Sequence, residues 1–378
     1  MADYYKTSYT SAGGRRRNQR SATGLIVDIV FGIISLIVVA LFLTVLFVPT
    51  LDPRECEEVS TLGLVAPIIY VAQVLLTLYW IIRWRLALAV PMILVSLMGV
   101  FQLSLFYKLE LRRIYTEPNL KPRYDKKALK VMSYNVRSFI DNNGERCLDS
   151  IVNVIKAMNP DILCLQEMGF SEIADSLLEP LKPMPRSLSR VNLSPAIYSR
   201  YPIIKSGSIA GEGRGTSQWV DVVIKKDTLR IFNNHLHTMS ISANDSQDIE
   251  QGRILQDGDR MRSIANRIAS NSSIRASYVD TLRTVVAETP YDNIICGDFN
   301  DTPMSYVYGE LIKGHKDAFV ECGSGYGYTF RPMHRTLRID YVLYSDGMEV
   351  QKYEVDPEAT LSDHLPVKAT IKLRNKKK

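Results

Sequence analysis

Three apolar runs in the first 110 residues decide what this chain can fold into. Leu25 to Val48 is a 24-residue run broken by one acid, Asp28, near its start. Leu62 to Ile82 is a second run and Leu86 to Phe106 a third. Each is close to the ~20 residues that carry a helix across a bilayer. A cleaved signal peptide is shorter and single, so the pattern predicts three transmembrane helices over 25–48, 62–82 and 86–106 within a membrane region 25–107. Pro67 and Pro91 are tolerable inside such helices, and Trp80 and Trp84 suit the interface.

Lys and Arg placement sets the expected orientation. Arg15, Arg16, Arg17 and Arg20 hold the tail 1–24, polar and read as disordered, in the cytoplasm. The first loop, PTLDPRECEEVS, carries one Arg against four acids and suits the outer side. The second turn, Arg83-Trp84-Arg85, suits the cytoplasm. Three crossings then place the C-terminal part outside, on the periplasmic or outer face. The juxtamembrane linker 108–129 pulls the other way, because Lys108 to Lys130 holds eight Lys and Arg against three acids.

The remainder, 130–378, reads as one globular domain. From Val131 onward there are 30 Lys+Arg and 31 Asp+Glu, a net of −1, so the basic excess of the chain lies in the first 130 residues, with 16 Lys+Arg against 9 Asp+Glu. A near-neutral domain argues against a broad nucleic-acid-binding face. The five cysteines show no zinc-like spacing; Cys164 and Cys296, in ILCLQ and IICGD, read as buried small hydrophobes.

Short β-rich segments alternate with helical ones. KVMSYNV, ILCLQ, Ala196–Tyr198, Trp219–Ile224, Leu229–Asn234, NIICG, RIDYVLY, MEVQKYEV and VKATIKL read as strands. Cys147–Met158, Phe170–Leu181 and Tyr278–Ala287 read as helices, and 241–274 as an inserted polar flap. The order suits two packed sheets with helices outside, a four-layer α/β sandwich.

Polar residues close these strands. Asn135 ends the first, Glu167 follows ILCLQ, His235 ends RIFNNH, Asp298 and Asn300 follow NIICG, Asp340 opens DYVL, and Asp363-His364 precede the last strand. Singly, each has a bland explanation as a turn cap or solvated strand end. Asp340 is the exception, since an acid among apolar strand residues needs a partner. Together they predict one cleft at the strand ends.

The motifs SYNVR, LQE, IYSRYPI, NNHLHT, GDFND, RIDYVL and LSDHLPV, in this order over about 130–373, resemble those of the endonuclease/exonuclease/phosphatase superfamily. That superfamily includes deoxyribonuclease I, inositol polyphosphate 5-phosphatases and neutral sphingomyelinases; the preceding apolar runs resemble its membrane-anchored bacterial members. The resemblance implies metal ligation by Glu167, helped by Asn135 and Asp363. It implies water activation by Asp298, a phosphate- or water-holding amide at Asn300, a phosphate contact at His235, and an Asp340–His364 pair. Asn234 stands where the family commonly has Thr. Tyr198, Phe330 and Arg137 are expected near the substrate.

The chemistry agrees. A phosphodiester is anionic and repels a nucleophile; a hard divalent ion on oxygen ligands, Mg²⁺ or Mn²⁺, offsets that charge. The substrate is then a phosphoester: nucleic acid first, a phospholipid head group second, a soluble phosphoester third. The bilayer is a further partner, and no protein partner is implied. The other readings are a lipid phosphodiesterase of sphingomyelinase or phosphoinositide-phosphatase type, or a catalytically dead binding domain, which the retained carboxylates disfavour.

Overall fold

Two of the strands are apolar at every position because both of their faces are covered. Ile162-Leu163-Cys164-Leu165 and Ile294-Ile295-Cys296 send alternate side chains to opposite faces, and all of them are buried. A computed structural model of the chain describes residues 22–109, 125, 127–168, 176–183, 195–209 and 216–373. The arginines of the 1–24 tail, most of the 108–129 linker and the first half of the expected 170–181 helix lie outside the described residues.

One sheet has the order β13-β14-β2-β3-β5-β4, from β2 (Leu129–Asn135), β3 (Ile162–Gln166), β4 (Lys182–Pro183), β5 (Ala196–Ser199), β13 (Met348–Val355) and β14 (Val367–Leu373). The other is β10-β12-β9-β8-β7-β6, from β6 (Ile203–Ile209), β7 (Thr216–Ile224), β8 (Asp227–His235), β9 (Asn293–Asp298), β10 (His315–Asp317) and β12 (Asp340–Ser345). Val131, Cys164, Ile231, Ile294, Cys296 and Val342 are among the side chains that fill the space between them. Helix α4 (Leu148–Met158) covers the outer face of the first sheet with Ile151, Val152 and Ile155. Helices α6 (Gly258–Ala287) and α7 (Tyr306–Leu311) cover the second with Tyr278, Val279, Leu282 and Val307. The expected four layers are present. The break expected between a flap ending at 274 and a helix starting at 278 is absent: α6 runs unbroken for 30 residues. It follows a shorter helix, α5 (Ala243–Glu250), whose start carries a capping box between Ser242 and Asp245.

The N-terminal part corrects one expectation. Helices α1 (Ala22–Phe47) and α2 (Leu62–Ile82) are long and apolar enough to cross a membrane. The third run is not one long helix. Helix α3 (Leu86–Met98) stops after 13 residues, about 20 Å at ~1.5 Å per residue. A short turn, Val100–Leu103, follows Gly99. Gly99 sits against the Phe42 ring of α1, where a Cβ would come within 2.4 Å of a ring carbon. Close packing with α1 therefore sets the break. At the other end of the bundle Asp28 accepts from Arg83 at 2.8 Å and pairs with Arg85.

The bundle docks on the sandwich at several places. The carbonyl of Gly63, at the start of α2, accepts from the Thr302 hydroxyl at 3.0 Å, and a Cβ on Gly63 would lie 2.0 Å from the Met304 carbonyl oxygen. The turn after α1 presses Pro49 onto Gly309 of α7. After the third run, β1 (Tyr107–Lys108) pairs with β11 (Gly325–Tyr326), and Arg338 Nε donates to the Leu105 carbonyl at 3.1 Å.

Candidate active site

Sheet register brings the strand-end residues to one edge. Parallel β2 and β3 align Asn135 with Gln166, so Glu167 emerges beside Asn135. Parallel β8 and β9 align His235 with Asp298. Antiparallel β12 places its first residue, Asp340, opposite Asp298. Antiparallel β14 runs away from the same edge beside β2, so the 363–364 segment that precedes it arrives there too. Close approach of β8 and β9 requires Gly297: at φ +131° a Cβ there would stand 2.0 Å from the Asn234 carbonyl oxygen. That explains the glycine of GDFND.

Asp298 is the centre of the group. Asn135 Nδ2 donates to it at 3.0 Å and to Glu167 at 3.1 Å. Asn300 donates to it through its backbone N–H at 2.8 Å and its side-chain amide at 3.2 Å. His235 Nε2 stands 3.5 Å from Glu167 and 3.8 Å from Asp298. His364 Nε2 lies 3.6 Å from Asp298, and its Nδ1 lies 2.9 Å from Asp340. Asn135, Glu167, His235, Asp298, Asn300, Asp340 and His364 thus form one connected constellation.

Electrostatics give the buried pair opposite tasks. Burial pushes the Asp340 carboxyl up to about 6, although the His364 charge opposes that. Burial alone would lower the His364 value, but the Asp340 and Asp298 carboxylates outweigh it and hold the imidazole well above the ordinary histidine range. The charged form of His364 is thereby favoured, 3.6 Å from the Asp298 oxygen.

Asp363 takes the other side of its extended segment. Ser362 Oγ contacts it at 3.3 Å and Arg137 Nε stands 3.9 Å away. It lines a cleft of about 610 Å³ with Arg137, Phe330, Arg331, Arg335 and Glu250. Phe330 also meets the His364 ring edge-on, with centroids 5.0 Å apart. Tyr198 is not in this cleft. It is 1% exposed, its hydroxyl reaches Met168 Sδ at 3.1 Å, and it packs in the layer under α4. Strand parity explains the difference: Ile197 faces between the sheets, so Tyr198 must face outward to the helix.

Two hydroxyls that sequence reasoning passed over hold the site together. Ser362 Oγ donates to the Asn135 carbonyl at 2.8 Å and accepts from the His364 N–H at 3.2 Å. Thr329 Oγ1 accepts from the N–H groups of Ile339 and Asp340. Ser362 stands inside the LSDHLPV motif; Thr329 carries no local signal.

Residues 132–364 match the model of the endonuclease/exonuclease/phosphatase family. The chain belongs to that family. The match runs from β2 to His364, and so covers every member of the constellation. Endonuclease/exonuclease/phosphatase proteins are in general phosphoester hydrolases that use a divalent metal. Residues 28–106 match a second model, described as a domain of unknown function (DUF8431). Similar solved structures include a family member from Beutenbergia cavernae, 19% identical, covering 66% of this chain and 72% of that one at a TM-score of 0.47. A Bacteroides thetaiotaomicron family member is 18% identical over 66% of this chain and 96% of its own, at a TM-score of 0.48. The human Nocturnin catalytic domain with bound sulfate is 17% identical over 66% and 96%, at 0.45. No curated protein matches the sequence.

The donor set fits a hard cation. Two carboxylates, Glu167 and Asp298, share one neutral amide at 3.1 and 3.0 Å. Their charges converge at the mouth of the site, where the Glu167 side chain is 31% exposed. Oxygen donors with room for water suit Mg²⁺. A second grouping, Asp298, Asp340 and His364, has ligand atoms within 4.8 Å of one another. There His364 Nδ1 is already held by Asp340 at 2.9 Å.

Proposed function

We propose that the chain is a membrane-anchored, divalent-metal-dependent hydrolase of phosphoester bonds. Its hydrolase domain spans 130–378 and its multi-pass membrane region 25–107. The observation that carries this reading is the convergence of Asn135, Asn300, His235 and His364 on Asp298, with Glu167 joined to it through Asn135 and His235. In this reading Glu167 holds Mg²⁺ or Mn²⁺, with Asn135 beside it and Asp363 at the rim. The bound ion supplies charge neutralisation for the phosphate.

Asp298 orients the attacking water and takes its proton. Its hydrogen bonds from Asn135 and Asn300 fix the carboxylate in place, so little reorganisation is needed during reaction. His364, kept cationic by Asp340, stabilises the charge that gathers on the phosphoryl oxygens, with His235 and Asn300 as further donors. Arg137 and Phe330 line the cleft through which the substrate's remaining groups extend.

The test uses the full chain, bis-p-nitrophenyl phosphate, and Mg²⁺ or Mn²⁺. Turnover is expected to vanish with EDTA and return with metal. Asp298→Asn should lower kcat by about 10²-fold or more, as loss of an acid–base group does, with the melting curve unchanged. Metal-independent turnover, or a wild-type rate in Asp298→Asn, would refute the assignment.

A further inference from the structure

Helix α2 has 21 residues, about 31 Å at ~1.5 Å per residue. The hydrocarbon core of a bilayer is about 30 Å thick. A helix that only just spans leaves no slack, so its first turn, Leu62 to Leu64, lies at the hydrocarbon edge. Leu64 packs on two apolar clusters of the hydrolase domain. One is Met239, Leu337 and Ile339, with Phe330 and Met333 at its margin. The other is Ile254, Ile264 and Ile268, with Ile241 and Ile249.

Phe330 and Ile241 are also walls of the 610 Å³ cleft beside the catalytic constellation. The chain leaving the third apolar run also reaches the 330–336 segment: β1 pairs with β11, and Tyr326 of β11 donates to the Thr336 carbonyl at 2.5 Å. Residues beside the cleft are thus joined both to the start of α2 and to the strand that follows the third run. Beside Ile254, the segment between α5 and α6 leaves Leu255 79% exposed, and Met261 in the first turn of α6 is 49% exposed. An apolar pair of this kind, contiguous with a helix that ends at the hydrocarbon edge, fits a lipid surface. Arg137, Arg331 and Arg335 line the cleft and suit a phosphate.

We propose that this site hydrolyses the phosphodiester of phospholipid head groups in the same membrane that holds the chain, with Leu255 and Met261 seated in the leaflet surface beside the cleft. The proposal rests on the phosphoesterase reading above and names its substrate. It reverses the order suggested by sequence, which put nucleic acid first. In the reaction the oxygen of water bonds to phosphorus and one P–O ester bond breaks. The alkoxide leaves with a proton, giving a phosphomonoester and an alcohol without any redox partner.

The experiment reconstitutes the full chain in vesicles of phosphatidylcholine with phosphatidylglycerol, and separately with sphingomyelin. Lipid products are measured with Mg²⁺ or Mn²⁺, alongside bis-p-nitrophenyl phosphate and a single-stranded oligonucleotide. Metal-dependent loss of a lipid phosphodiester is expected. Since seating a large apolar side chain in lipid is worth about 1.5–3 kcal/mol, Leu255→Asp with Met261→Asp should slow lipid turnover about tenfold or more. The same double variant should keep the wild-type rate on bis-p-nitrophenyl phosphate. Turnover of the soluble ester with every lipid left intact overturns this proposal but not the parent reading. So does a double variant as fast on lipid as the wild type, or an oligonucleotide cleaved in preference to lipid. No turnover on any ester overturns both.

Discussion

Asp298 sits where four polar neighbours meet, and its behaviour depends on the pair behind it. Asp340 and Asp298 keep His364 charged against the pull of burial. Replacing Asp340 by Asn removes the larger of these two charges and leaves burial in place, so the folded-state value of His364 must fall. In wild type the imidazolium persists above neutral pH; in Asp340→Asn it is lost at lower pH. The alkaline limb of kcat/KM should therefore move toward acid, since an opposite charge beside the imidazole has been removed. A pH–rate profile that does not move would separate Asp340 from His364. At this scale the acids, amides and imidazoles were legible because each interrupts or ends an apolar strand. Tyr198 was misplaced because a four-residue strand leaves its facing undecided until its neighbours are known. Thr329 and Ser362 were missed because hydroxyls are common in every loop, and only contact with Asp340 and Asn135 marks them.

Among the elements, the longer strands followed from apolar runs bounded by turns, whereas the edge strands β4, β6 and β10 and the order within each sheet became visible only from the pairing. The unbroken length of α6 was not legible: Asn266, Ser270, Asn271 and Ser272 weaken the apolar period that marks a helix, and packing on Ile254 and Leu64 replaces it. Nor was the break at Gly99, which depends on the Phe42 ring of another helix. The contact between α2 and the catalytic loop can be tested in the same terms. A methyl on Gly63 would overlap the Met304 carbonyl, six residues beyond Asp298 in sequence. Gly63→Ala should cost about 1–3 kcal/mol, the usual range for overpacking, read as a lower Tm of the full chain in detergent. An unchanged Tm would show that helix and loop do not press together. A fragment lacking the apolar runs would bare Met304, buried against Phe42 and Ala66, and is a poor substitute for the full chain.

For the whole molecule, the first loop and the end of the third run both touch the hydrolase domain, while the Asp28 cluster with Arg83 and Arg85 lies at the opposite end of the bundle. We expect the domain to face away from the compartment that holds the arginine-rich tail. Protease added to spheroplasts should then cut it, and full protection would reverse the sidedness. The docking contacts have one more consequence under the proposed lipid-hydrolase reading. In that reading the catalyst is clamped to its own bilayer and samples a plane and not a volume. Its throughput would scale with how densely target molecules are spread over that sheet, and adding more of them elsewhere in the suspension would leave it idle.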